Sequence, residues 1–168
     1  QGVMSAILRR GSGVSEFLEY LVRYGILTPE AASRARSACA STGQSVDVVL
    51  VELGLVHEAE LARHLGDFFG LPHPDSGYPD PDMDLVEALG LRFCREQLLL
   101  PLSLSGDRLL LAVADPFETT AADTVAFRLE RACELRVFPR SAIAAWFQRS
   151  EGADGAPGAG GRGDPPPP

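Results

Sequence analysis

The sequence predicts an α+β protein: a helical bundle followed by a small αββαβα unit built on a three-stranded sheet. Three observations predict it. A helix–Gly–helix unit occurs twice at a constant offset of 29, with Phe17, Leu21, Val22, Gly25, Ile26 and Leu27 answered by Val46, Leu50, Val51, Gly54, Leu55 and Val56. A stretch with four prolines, residues 71–83, then breaks the helical pattern. Beyond it, short apolar runs bounded by Gly, Asp and Pro replace the helical period.

Residues 1–14 hold Gly-Ser-Gly and two arginines and read as a flexible leader. Residues 15–70 form the helical unit, and two copies of the repeat give four helices. In the first copy Thr28 is a good N-cap with Pro29 at the first helical position. In the second, Ser45 is the expected N-cap, its side-chain oxygen accepting from a free backbone N–H. Gly54 stands where a helix needs a left-handed terminating residue. His57 or Glu58 opens the next helix, and Leu61, Leu65 and Phe68 give it one apolar face.

Residues 71–83 are an extended, proline-rich linker. Residues 84–149 carry the second unit. Asp84 to Leu89 is a short helix closed by Gly90, and Arg92 to Glu96 is another turn. Leu98 to Leu104 and Arg108 to Ala114 read as strands joined through Ser105, Gly106 and Asp107, with glycine in the tight turn. Pro101 lacks a ladder donor, so its strand belongs at an edge or a bulge. Asp115-Pro116 ends the second strand. Thr119 or Thr120 caps a helix with Ala122, Val125, Ala126 and Leu129 on its apolar face. Cys133 to Phe138 alternates as a third strand. Ser141 caps a last helix that turns Ile143, Trp146 and Phe147 inward. A three-stranded sheet of this kind leaves two open edges able to accept a partner strand. Residues 150–168 are Gly, Ala, Pro and acid, too polar to offset their chain entropy, and read as a disordered tail. Its terminal proline run reads as interdomain linker, and the Arg162-Gly163-Asp164 triplet as chance. The chain stops abruptly in low complexity, as a piece of a longer protein does.

The composition narrows the function. A length of 168 residues fits one domain or two small ones. A net charge of −8, from 23 acids against 15 bases, argues against nucleic-acid binding, which needs clustered positive charge. Cys39, Cys94 and Cys133 are far apart, an odd set with no CxxC spacing, as expected of buried thiols in a reducing compartment. No apolar run approaches the length of a membrane span, and the start lacks a signal-peptide core. The expected location is the cytoplasm, with no direct membrane insertion.

Catalytic motifs are missing from this sequence. It has no GxxxxGK[ST] phosphate loop, no GxSxG and no HExxH. Asp115 follows a strand, where catalytic acids often sit, but an Asp-Pro turn asks for it on conformational grounds alone. His57, Glu60 and His64 share one side of a helix at a spacing that suits a metal. Leu61, Leu65 and Phe68 occupy the same half, so His64 reads as a residue bordering the core. No catalytic residue, metal site or cofactor is assigned.

The second repeat, followed by Phe69-Gly70-Leu71-Pro72, resembles the N-terminal domain of the assembly ATPases of type II secretion and type IV pili. That family's pattern is close to RLGxxLLxxGLIxxxxLxxALxxQ, then LGLP. The leucine skeleton is present here as Leu50, Val51, Gly54, Leu55, Val56, Leu61 and Leu65. The later Leu-Pro-Leu, glycine turn and Leu-Leu-Leu-Ala-Val-Ala-Asp-Pro run is similar to the same family. The polar ends depart from the pattern: Ser45 stands at the Arg position, Asp47 at the Gly and Phe68 at the Gln. In the first repeat Glu16 replaces the Arg, Ala32 and Arg36 replace two leucines, and Cys39 replaces the Gln. The resemblance implies a non-catalytic docking or regulatory domain that contacts a secretion, pilus or signalling component. Some family members bind cyclic di-GMP through two such motifs. On that alternative the implied ligand residues are Ser45, Val46, Leu50, Gly54, Leu61, Leu65 and Phe68. Arg23, Arg34 or Arg36 would then have to supply the missing positive charge.

Overall fold

The computed structural model describes the backbone of residues 3–155 and the side chains of residues 13–151. Four helices form the first half: α1 (Val3–Arg23), α2 (Pro29–Thr42), α3 (Val46–Glu52) and α4 (Glu58–Phe69). The second half holds α5 (Met83–Leu89), α6 (Leu91–Gln97), β1 (Leu99–Ser105), β2 (Arg108–Val113), α7 (Thr120–Leu129), β3 (Ala132–Val137) and α8 (Arg140–Gly155). This is the expected α+β architecture, with two short helices before the first strand.

Both repeats end their first helix as expected. Gly25 and Gly54 sit at φ +76° and +71°, in the left-handed region that glycine enters without a Cβ penalty. Thr28 caps α2, its hydroxyl accepting from the Ala31 N–H at 3.0 Å. Ser45 takes the N-cap position of α3 with extended backbone, yet its side chain makes no capping bond. Helix α1 begins at Val3, so residues expected to be a leader are helical. The helix runs on through Gly11 and Gly13, each about 1 kcal/mol less favourable than alanine inside a helix.

The sheet has the order β1-β2-β3. Gly106-Asp107 joins β1 and β2 in a tight antiparallel hairpin, and β3 runs parallel to β2. Pro101 meets both expectations for a proline in a strand. It lies on edge strand β1, and the register shifts between Pro101 and Ser103. Each edge strand has a neighbour along part of its length. The Asp82 N–H donates to the Pro101 carbonyl beside α5, and α4 packs against β3. Asp82 also caps α5, accepting from the Asp84 and Leu85 N–H groups.

Two apolar cores result. One joins Phe17, Leu18, Leu21, Val46, Leu50, Leu61 and Leu65 of the bundle. The other joins Leu99, Leu100, Leu109, Leu111, Val125, Ile143 and Phe147 around the sheet. Phe117 and Val137 belong by sequence to the second half but are buried in the bundle core, so the halves pack against each other. Helix α8 continues to Gly155, into the stretch expected to be tail; the proline run and the Arg-Gly-Asp triplet lie outside the described residues.

Burial pushes the Cys94 thiol up to about 11 from an ordinary value near 9. The folded state therefore holds this proton more tightly than the unfolded chain does. Stability from this group is complete below pH 9 and is lost as pH rises towards 11. Urea unfolding across that range should show a decline that Cys94→Ala flattens by about 1–2 kcal/mol.

Candidate functional site

One concavity lies where the two repeats meet the loop after β2. It encloses about 400 Å3 and is lined by Ser15 and Val14 of α1, Arg36 and Cys39 of α2, Ser45 and Val46 at the start of α3, and Asp115 and Phe117. Its floor is mostly apolar. Among the described lining residues Arg36 is the one cation and Asp115 the one acid.

The residues that the family pattern implies for a ligand are divided by the structure. Ser45 and Val46 reach the cavity. Leu50, Leu61 and Leu65 are fully buried in the bundle core. Gly54 sits in the turn at the other end of α3. Phe68 joins an aromatic cluster, edge-on to Phe17 at 5.2 Å and to Tyr20 at 5.3 Å between ring centroids. Asp115 and Phe117 were not expected in the site, because they come from a loop about 70 residues further along the chain than Ser45. The only local signal was the Asp-Pro-Phe turn. Asp115 fills that turn role: its Oδ1 accepts from the Phe117 N–H at 2.9 Å, which aims the ring into the bundle.

The setting of Cys39 favours the thiol over the thiolate. Burial raises its thiol above the ordinary value, and the nearby Asp115 and Asp47 carboxylates raise it further. A nucleophilic cysteine needs the opposite setting. His73 is paired with Asp67 at 2.8 Å rather than with His57 or His64. Among the described residues, no three His, Cys, Asp or Glu side chains are placed to hold a metal ion.

Beside the cavity the two halves are joined by polar bonds. Asp47, only 6% exposed, accepts from Arg140 Nε at 2.7 Å and Nη2 at 2.9 Å, a bidentate pair. This hydrogen bond is the main cause that holds the Arg140 guanidinium even more firmly protonated than usual. Glu58 accepts from the Ser141 N–H at 2.9 Å and from the Ser141 hydroxyl. Ser141 is therefore not the cap of α8, as its type and place suggested. It is capped itself, by a carboxylate from α4.

Residues 69–157, more than half of the chain, match the MshEN domain family. The chain is 35% identical over 114 residues to type II secretion system protein E of Xanthomonas campestris pv. campestris, covering 66% of this chain and 20% of that protein. It is 23% identical over 133 residues to the type IV pilus assembly ATPase PilB of Myxococcus xanthus, covering 77% of this chain and 24% of that one. The chain thus spans about a fifth to a quarter of these relatives. Among solved structures, MshE with cdg superposes at a TM-score of 0.67, with 27% identity over 79% of this chain and 96% of that one. The N-terminal domain of XpsE superposes at 0.63, with 31% identity over 79% of this chain and 92% of that one.

A double-mutant cycle tests the ion pair. Asp47→Ala and Arg140→Ala should each destabilise by about 2–3 kcal/mol, since each leaves a partly buried charge unpaired. Urea denaturation of the single and double variants should give a coupling of about 1–3 kcal/mol.

Proposed function

The chain belongs to the MshEN domain family, the N-terminal domain kind of secretion and pilus ATPases, and from this premise we propose that it is a cytoplasmic, non-catalytic docking and regulatory domain acting through protein contact. The observation that carries this reading is a matched pair of exposed apolar side chains. Tyr24 is 65% exposed and Leu53 is 45% exposed. Each stands immediately before the left-handed glycine of its repeat, and they correspond at the repeat offset. Isolated exposed apolar residues are ordinary, but a duplicated pair presented at matching turns suits recognition of another protein. The lack of a phosphate loop in this sequence supports a role apart from nucleotide hydrolysis. A cytoplasmic place is in keeping with helices none of which, among the described residues, is long and apolar enough to cross a membrane.

The partner class is a secretion, pilus or signalling component. The purified chain should retain such a component from lysate of its host. Tyr24→Ser with Leu53→Ser should lose it while melting within a few degrees of the parent, because both side chains lie outside the buried core. Retention of no such component, or equal retention by the double variant, rules this reading out.

A second reading, binding of cyclic di-GMP, is favoured by one observation. The cavity of about 400 Å3 brings the start of α3 against the end of α2, in a fold similar to that of MshE with cdg. The charge inventory weighs against it. A dinucleotide phosphate needs cations, and among the described lining residues the cavity offers Arg36 alone, along with the acid Asp115, with Ser45 and Glu16 at the positions where the family pattern has arginine. Isothermal titration at low salt should give no binding at 1 µM or tighter, about −8 kcal/mol. Binding at that level, abolished by Arg36→Ala, would put the sensor reading in place of the docking one.

A further inference from the structure

A second concavity, of about 280 Å3, opens between α4, the proline-rich linker and the turn after β3. The sequence of α4 makes room for it. Ala59, Ala62 and Gly66 fall at i, i+3 and i+7, on a side of the helix turned away from Leu61 and Leu65, and none carries more than a methyl group. The linker crosses that side and is held there. His73 Nε2 lies 2.8 Å from Asp67 Oδ1, and a Cβ at Gly66 would stand 3.5 Å from the His73 ring. Val137 and Pro139 close the end next to the sheet.

Size and lining restrict the occupant. Small-molecule sites enclose about 300–1,000 Å3, and this cavity falls just below that range. Pro72, Pro74 and Pro139 bring three rings to its walls. Proline rings pack well on aromatic faces, the contact that holds proline-rich segments in aromatic-lined grooves. One aromatic side chain matches both the volume and the rings. Two charges border the same space: Arg63 on α4 and Asp75 on the linker, both exposed. They do not pair with each other, and neither makes an ion pair or side-chain hydrogen bond among the described residues. Of the other lining residues, His73 is already bound to Asp67.

We propose that this cavity receives one aromatic side chain from a segment of a partner protein, with an acidic residue on one side of the aromatic meeting Arg63 and a basic residue on the other meeting Asp75. The apolar cavity supplies the anchor, and the two rim charges select the flanks. This deepens the docking reading and rests on it for the occupant's being protein, but it uses neither Tyr24 nor Leu53.

Titration of the whole isotope-labelled chain with three blocked tripeptides tests it: Glu-Trp-Lys, Glu-Trp-Glu and Lys-Trp-Lys, each acetylated and amidated. The mixed peptide should shift the amides of Ala59, Ala62, Gly66 and Gly77 with a Kd of about 1 mM. It should bind about threefold tighter than either like-charged peptide, in keeping with one exposed ion pair. Arg63→Glu should move the preference to Lys-Trp-Lys. Ala59→Phe fills the cavity from an exposed position, and should abolish the shifts while the Leu61 and Leu111 amides stay near their parent places. No shift at these amides with any peptide overturns the proposal. So do equal affinities for all three peptides, a preference that Arg63→Glu leaves unmoved, or shifts that survive Ala59→Phe. If Ala59→Phe loses its dispersed signals, the response of Arg63→Glu decides alone. Lysate retention that survives Tyr24→Ser with Leu53→Ser removes that surface and not this cavity, whereas a failed peptide titration removes the cavity alone.

Discussion

The burial of one ring, Phe117, is the constraint that the rest of the structure answers to. The residue leaves the sheet just after β2 and ends in the core of the other half, 7% exposed. Asp115 accepts from its N–H and so holds the turn from which the ring projects. On the receiving side, a Cβ at Gly13 would stand 3.1 Å from the Phe117 ring, closer than such contacts normally come. Glycine in the middle of α1 costs helix propensity. Its smallness is what lets the ring approach, and the surrounding helix formers carry the cost.

With the two halves brought together, groups near the seam have to be satisfied. Asp47 is nearly buried, and a carboxylate in that position is tolerated only when paired. Arg140 pairs it, and Glu58 completes the first turn of α8. The positions that depart from the family pattern are thereby explained in part. Asp47, where the pattern has glycine, holds the seam. Phe68, where it has glutamine, is packed among Phe17, Tyr20 and Phe117. Cys39, at the other glutamine position, forms cavity wall with its thiol kept protonated by burial and by neighbouring acids.

Most of the fold was legible in the sequence because it is written in local, periodic signals. The repeat offset gave four helices, and Gly25 and Gly54 marked their turns by the one conformation that only glycine enters freely. Gly106, Pro101 and Asp-Pro marked the strands in the same way. The misreadings share a cause. Ser45 and Ser141 have the residue type of a cap, but whether a hydroxyl caps depends on what lies opposite it, and at Ser141 that is Glu58, 83 positions earlier. The cavity was half legible for the same reason. Ser45 and Val46 lie in the repeat, whereas Asp115 and Phe117 arrive by tertiary packing that no local pattern records.

The central claim is that the two halves fold as one unit across the Phe117 seam. Native-state hydrogen exchange under rising denaturant tests it most directly. The account predicts that the slowest amides of the bundle, such as Leu61, and of the sheet, such as Leu111, merge into a single global opening with one free energy and one denaturant dependence. Two separate isotherms, one for each core, would contradict it.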